Sequence, residues 1–316
     1  MRSGKAIEFL DTHDSSGKLI FCHPVRGPGR SVSDPAVMFP RSDLFHLLLE
    51  KLGSDRVHYG MDCTRLMHLD RQARVTFNHS IEEDFDLVIG CDGVASTIRS
   101  FNSPTHIPYD TGLVASRGMV HFDSPLLTPD RCQIFSTSYA RVVTYPLSEE
   151  SRYRYWFAAY QHRNRSLLDR EGLIKLFADL PSDIRDMIAA TPRRDILTHQ
   201  MMALTGDGVW CKGRVVMLGD SIHAMLPTLG YGLTLGLENG FRLVQALAGC
   251  GSEDIDIALT HYVSVAATRS KSILAVMKEI TDLYYFADST AITPTRLTPI
   301  VNRFNSLAMP TVFQGT

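Results

Sequence analysis

Apolar residues recur along this chain at two spacings, and these mark where strands and helices form. Residues 5–22, KAIEFLDTHDSSGKLIFC, set two short β-type runs around a polar DSSG turn, which predicts a hairpin. In FPRSDLFHLLLEKL, Leu44, Leu47, Leu48 and Leu52 share one helical face, with Ser42 or Asp43 placed to cap the helix. Short strand-like runs alternate with polar turns from Val57 to Asn78. Leu87, Val88 and Ile89 then form the continuous apolar run expected of a strand covered on both faces. Residues 116–160 hold further strands, notably RVVTYPL and RYRYWFAAY, where β-branched and aromatic residues dominate. Helical spacing returns in REGLIKLFADL and SDIRDMIAAT. GRVVMLGD reads as a second buried strand, ENGFRLVQALAG as a helix, and Ile257 to Phe286 as a long amphipathic helix. The last thirty residues, rich in Thr and Pro, carry no definite period.

Strands interleaved with helices predict an α/β chain with a second, mainly antiparallel sheet over residues 111–205. The segments 1–110 and 206–265 then form one divided α/β domain, and 266–316 a C-terminal helical region. At 316 residues and 44% apolar content, the chain can bury a sizeable core. The net charge is −2 and the Lys and Arg residues are scattered, which excludes a nucleic-acid footprint. Cys22, Cys63, Cys91, Cys132, Cys211 and Cys250 lie far apart without metal-ligand spacing, so they are expected to be reduced, mostly buried thiols, with no metal bound. With neither a secretory leader nor a long apolar run in the sequence, a cytoplasmic protein without a transmembrane segment is expected.

The chemistry concentrates where strands meet Gly-Asp. In DLVIGCDGVASTIRS the strand stops at Gly90 and a helix begins near Ser96, and Asp92 either caps that turn or takes a ligand hydroxyl. In GDSIHAMLPTLGYGLTLGLEN, Asp220 stands at the carboxyl end of a strand, where ligands sit in open α/β sheets. Pro227, Gly230 and Gly232 shape the loop that delivers a helix start, whose free N–H groups favour negative charge.

These stretches resemble the FAD-dependent aromatic-ring monooxygenase family, the para-hydroxybenzoate hydroxylase-like group. DLVIGCDGVASTIR is similar to its second flavin motif at Asp86, Gly90, Asp92, Gly93, Ser96 and Arg99. The 219–239 stretch is similar to its third at Gly219, Asp220, His223, Pro227, Gly230, Gly232 and Glu238. PRSDLFHLL resembles the flavin-contacting arginine, Arg41, and the helix after it.

The resemblance implies a Rossmann-like FAD/NAD(P)-binding domain and a substrate layer at residues 116–160. Asp220 would hold the ribityl chain of FAD, the backbone from Gly230 to Leu233 would lie along the ring's pyrimidine edge, and Arg41 would contact the flavin side of the cleft. Asp92 would belong to a motif linked to both flavin and nicotinamide binding. It further implies that NAD(P)H reduces the flavin, that O2 is the oxidant, and that a small hydrophobic aromatic, polyketide or terpenoid-derived substrate is oxidised, as in fungal secondary-metabolite members. No catalytic triad is expected, because the cofactor supplies the chemistry. His223 fits a structural hydrogen bond or a flavin-loop role better than a base, and Tyr145, Tyr155 and Trp156 are candidates for either the substrate face or the core.

The family opens on G-x-G-x-x-G, which this sequence does not contain. Roughly sixty residues of the usual start are therefore expected to be absent, as judged from the length of that unit and its extension. That leaves a second reading, a flavin-poor relative that binds a ligand or carries out a non-redox cyclisation or isomerisation, and a third, an inactive fragment.

Overall fold

The computed structural model describes residues 4–25, 36–148, 152–161, 167–287 and 291–308. The chain folds as two compact units, each discontinuous in sequence. The first comprises residues 1–57, 112–201 and 281–305, and the second 58–111, 202–280 and 306–316.

The first unit is built on a seven-stranded sheet. Its strands run in the order Leu197–Ala203, Tyr109–His121, Tyr153–Gln161, Ala140–Pro146, Arg131–Ser136, Phe9–His13 and Leu19–Pro24. The predicted hairpin forms, with Phe9–His13 and Leu19–Pro24 joined through the DSSG turn. It belongs to this sheet rather than to an α/β domain running to residue 110, because Phe9–His13 adds parallel to Arg131–Ser136. That pairing spans about 120 residues of chain and leaves no local trace in the sequence.

Alternation along the strands gives the sheet two chemically distinct faces. One carries Phe135, Val142, Trp156, Ala158 and Tyr160 and is covered by the helices Arg170–Leu176 and Ser182–Ala190, making the unit's core. Trp156 is fully buried there and donates its indole N–H to Thr191 Oγ1 at 2.9 Å, so it is a core residue and does not line a substrate face. Tyr145 and Tyr155 lie on the opposite face, their rings stacked 5.0 Å apart.

The helix predicted around the leucine repeat spans Arg41–Leu52, but Pro40 occupies its N-cap and neither Ser42 nor Asp43 closes the first turn. Proline's fixed φ suits the entry to a helix, and the Ser42 hydroxyl is spent on Asp43 instead. No residue of this helix is buried, and Leu48 and Leu52 are exposed.

The second unit holds a three-stranded sheet in the order Cys211–Lys212, Val215–Met217 and Val88–Gly90, the last two parallel. Val215, Val216 and Met217 are wholly buried, as a strand read from GRVVML should be. The Leu87–Ile89 run departs from the expectation of burial on both faces: Val88–Gly90 is an edge strand, and Ile89 is 45% exposed. A separate antiparallel meander is formed by Cys63–His68, Ala73–Phe77 and Glu82–Phe85.

Helix Gly232–Leu247 and the long helix Ile255–Tyr285, the latter as far as residue 280, close the core around Trp210, Leu243, Leu259 and Tyr262. Of the six cysteines only Cys132 is buried, a correction to the expectation of mostly buried thiols, and none is in a disulfide. Cys22 lies within the edge strand Leu19–Pro24, and the other four lie at strand ends or just beyond a strand or helix. No helix among the described residues is long and apolar enough to cross a membrane.

Glu238, on Gly232–Leu247, fixes that helix to its neighbour. Its buried carboxylate accepts from Arg242 at 2.9 Å one turn along, and from Arg269 on the long helix, whose second contact is 2.8 Å. Removing one partner of a buried cluster strands the others without counter-charge, so Glu238→Ala is expected to lower unfolding free energy by about 3 kcal/mol. A urea titration of the variant beside the parent chain measures this, and a difference within about 0.5 kcal/mol, the scale of ordinary surface substitutions, would contradict it.

Candidate cofactor site

Within the second unit, the two Gly-Asp junctions are held together by hydrogen bonds that no single motif reveals. Arg99 lies buried in helix Thr97–Asn102 and sends its guanidinium to three backbone carbonyls: His106 at 3.0 Å, Ser221 at 2.8 Å and Val94 at 2.6 Å. Ser221, directly after Asp220, returns the connection. Its hydroxyl bonds Gly90 O at 2.7 Å and Leu218 O at 2.8 Å. Residues 122 apart in sequence thereby fix the ends of the parallel strands Val88–Gly90 and Val215–Met217. Arg99 is a matched motif residue, but this task was not legible in the sequence, and Ser221 was missed altogether. The available signal was a serine set between Asp220 and the apolar Ile222.

The two aspartates at these junctions differ. Asp92 is engaged locally: its carboxylate accepts the Ser96 hydroxyl at 2.5 Å and the Ile98 N–H at 3.1 Å, while Ser96 caps the helix through the Arg99 N–H at 2.8 Å. This is the capped turn, one of the two readings its sequence allows. Asp220 is exposed, begins the short helix Asp220–His223, and its carboxylate makes no hydrogen bond or ion pair among the described residues.

Before it, Gly219 has φ +66°, and Gly230 has φ +67°; both conformations disfavour any side chain, and a Cβ at either would project into open space. Pro227 and Gly230 are exposed, and Leu233 is exposed in the first turn of Gly232–Leu247. That helix starts with neither a side-chain cap nor an acidic residue, so its first N–H groups remain available to an acceptor. A free carboxylate for hydroxyl donors, a bare backbone loop and an uncapped helix start fit the polyol and ring half of a flavin. These features are grouped in one unit, whereas Arg41, exposed at the start of its helix, belongs to the other.

His223 is buried behind this loop. The ring packs on Trp210, centroids 5.9 Å apart, and among the described residues neither ring nitrogen meets a side-chain hydrogen-bond partner. Burial lowers its pKa from the ordinary 6.5, and it does the same to His68 and His106. Desolvation disfavours the imidazolium, so His223 is held neutral.

Two outcomes are expected. Arg99→Lys, with a single ammonium unable to reach three diverging carbonyls, should cost about 3 kcal/mol and speed amide exchange at residues 218–224, read by denaturant titration and hydrogen exchange. Because the folded imidazoles resist protonation, the unfolded chain takes up protons first as pH falls, so stability is lost from 6.5 downward and retained above it. The thermal midpoint should fall between about pH 7.5 and about pH 5, and less steeply in His223→Gln; a flat profile would contradict this.

The chain has relatives in sequence and in fold among known proteins. The chain is 25% identical over 255 residues to 2-heptyl-3-hydroxy-4(1H)-quinolone synthase of Pseudomonas aeruginosa, covering 77% of this chain and 64% of the relative. It is 25% identical over 252 residues to 6-hydroxynicotinate 3-monooxygenase of Pseudomonas fluorescens, covering 76% and 64%. The chain thus spans less than two thirds of the length of these relatives. Its fold matches Klebsiella pneumoniae HpxO complexed with FAD and uric acid, with a TM-score of 0.85 at 22% identity over 99% of this chain and 82% of that one. The family described as FAD binding domain matches residues 38–275, which include both Gly-Asp junctions and the helix start between Gly230 and Leu233, and the chain belongs to that family.

Proposed function

We propose that the chain is the flavin- and substrate-holding part of an FAD-dependent monooxygenase that hydroxylates or epoxidises a small hydrophobic, ring-bearing substrate with NAD(P)H and O2, in secondary-metabolite biosynthesis. The observation that carries this reading is the unengaged Asp220 carboxylate beside an uncapped helix start, in a chain of the FAD binding domain family. When bound, FAD supplies the electron transfer and the activation of O2.

The protein's part is to bind and orient. Asp220 accepts from ribityl hydroxyls, and the N–H groups from Gly232 onward face the ring edge that gains negative charge on reduction. Gly230 and Pro227 let the backbone approach closely, and Leu233 covers the ring's rim. Arg41 supplies positive charge on the flavin side. Asp92, through Ser96, keeps the first junction in shape for nicotinamide binding. The name of the relative acting on 6-hydroxynicotinate supports a ring substrate. Six cysteines outside any disulfide suit a cytoplasmic location.

The test is the visible spectrum of the purified chain after loading with FAD and removal of free flavin. The parent chain should keep flavin bands and oxidise NAD(P)H. Asp220→Ala should bind FAD about tenfold more weakly, since ribityl hydroxyls lose a charged acceptor. Equal retention by the variant would remove Asp220 from the site, and a folded but colourless parent chain would overturn the reading in favour of a non-redox ligand binder.

A further inference from the structure

The helix start at Gly232 is anchored by one side chain. The glycines on either side of Tyr231 have nothing to pack, and among residues 225–234 Tyr231 alone is buried. It occupies the N-cap of helix Gly232–Leu247 with helical backbone angles, φ −95° and ψ −7°, so the placement of its ring carries directly into the first turn. Its phenol bonds in both directions. The O–H donates to the Ala308 carbonyl at 3.2 Å, and the oxygen accepts from a terminal nitrogen of Arg269 at 3.5 Å.

Arg269 is itself held by the buried Glu238 carboxylate, through Nε and through a second contact of 2.8 Å. The chain of contacts therefore leaves the helix at its N-cap and returns to it at Glu238, with the long helix as its rigid backing. Burial, with the Glu238 charge close by, pushes the Tyr231 phenol up to about 12, so it keeps its proton and remains a donor to Ala308. A phenylalanine would fill the same space but leave the Ala308 carbonyl and one Arg269 N–H short of a partner. One turn in, the helix lies against the other arm of the site: a Cβ added at Gly236 would sit 3.8 Å from the Gly219 Cα. A tilt of the first turn thus changes its distance from the Asp220 junction.

We propose that Tyr231 is a positioning residue of the flavin site, acting through the backbone N–H groups of Gly232 to Thr234 to set how much more firmly the site holds reduced than oxidised flavin. The inference rests on the flavin reading above and deepens it. Those N–H groups form the positive end of the helix dipole and face the ring edge that gains negative charge on reduction. A fixed dipole stabilises developing charge only where it is aimed in advance, so a loosened first turn takes more from the reduced state than from the oxidised one. The Tyr231, Arg269 and Glu238 contacts supply that aim from behind the helix, without touching the ligand.

The test compares the full chain with Tyr231→Phe by FAD binding, by the reduction potential of the bound flavin, and by amide hydrogen exchange of the ligand-free protein. The variant should bind oxidised FAD about threefold more weakly, the scale of one hydrogen bond, and reduced FAD about tenfold more weakly beyond that. The potential should accordingly fall by about 30 mV, the tenfold step of a two-electron couple. Exchange at Leu235, whose N–H bonds the Tyr231 carbonyl at 3.0 Å, should quicken about tenfold. Arg269→Lys leaves Glu238 a counter-charge but withdraws the N–H from Tyr231, and should lower the potential in the same direction. In the double variant the two shifts should not add, because they break one chain of contacts.

An unchanged potential in Tyr231→Phe would overturn the proposal even if binding weakens, since a tyrosine that merely packs would lower the affinity of both redox states alike. Shifts that add in the double variant would overturn it too, by showing that Tyr231 and Arg269 act apart. Should Tyr231→Phe fold poorly, Arg269→Lys carries the same readout. A full chain that takes up no FAD overturns the flavin reading and this inference with it; a chain that holds FAD at a potential indifferent to both substitutions overturns this inference alone.

Discussion

The second unit depends on one buried guanidinium satisfying three carbonyls. A parallel strand pair three residues long cannot hold two loops in place by its own ladder. Arg99 and Ser221 supply what the ladder lacks by converting the loose ends of both strands into acceptors and donors for one another. Each bond is modest by itself, but a low-dielectric interior makes leaving any of them unmade expensive, so the loops move together or not at all. The free Asp220 carboxylate and the open helix start beyond it therefore have fixed positions before any ligand arrives. Such preorganisation keeps binding energy from being consumed in ordering the loop.

Features carried by short windows were legible in the sequence. The hairpin around DSSG, the strand Val215–Met217, the helix beginning after Ser96 and the long helix ending at Tyr285 all rest on local spacing and turn chemistry. The Gly-Asp junctions were legible as strand-to-helix turns because glycine at positive φ and a strand-end carboxylate are local facts. What could not be read is the pairing of distant segments. An apolar triplet at Leu87–Ile89 reads alike in a central strand and in an edge strand, and only its neighbours decide which it is. Pro40 at the N-cap illustrates a smaller limit: composition offered Ser42 and Asp43, while the backbone entered the helix two to three residues earlier.

Arginine 141 shows why a buried charge escapes sequence reading. RVVTYPL is an ordinary alternating strand, and an arginine at its start is usually at a surface. Its burial arises from two tyrosines more than 140 residues further on. The same sheet treats its two buried arginines differently, with Arg154 reaching a carbonyl and a hydroxyl on the helix-covered face and Arg141 lying over the Tyr284 ring beside Tyr285. The two buried arginines thus occupy opposite faces of one sheet, on neighbouring strands.

Both units are interrupted in sequence, and this constrains how the protein is made. The strand at 88–90 cannot find its parallel partner until residue 217 has been synthesised, and the seven-stranded sheet lacks the Tyr284 and Tyr285 rings until the last tenth of the chain emerges. Contacts of such long separation form slowly, because the intervening chain must be closed into a loop first. Neither unit can finish before the other is largely synthesised. During translation the nascent chain carries unpaired apolar strands such as Val215–Met217 for longer than a sequentially arranged pair of domains would. Its yield in a cell is accordingly tied to chaperone capacity and elongation rate as much as to the stability of the finished fold.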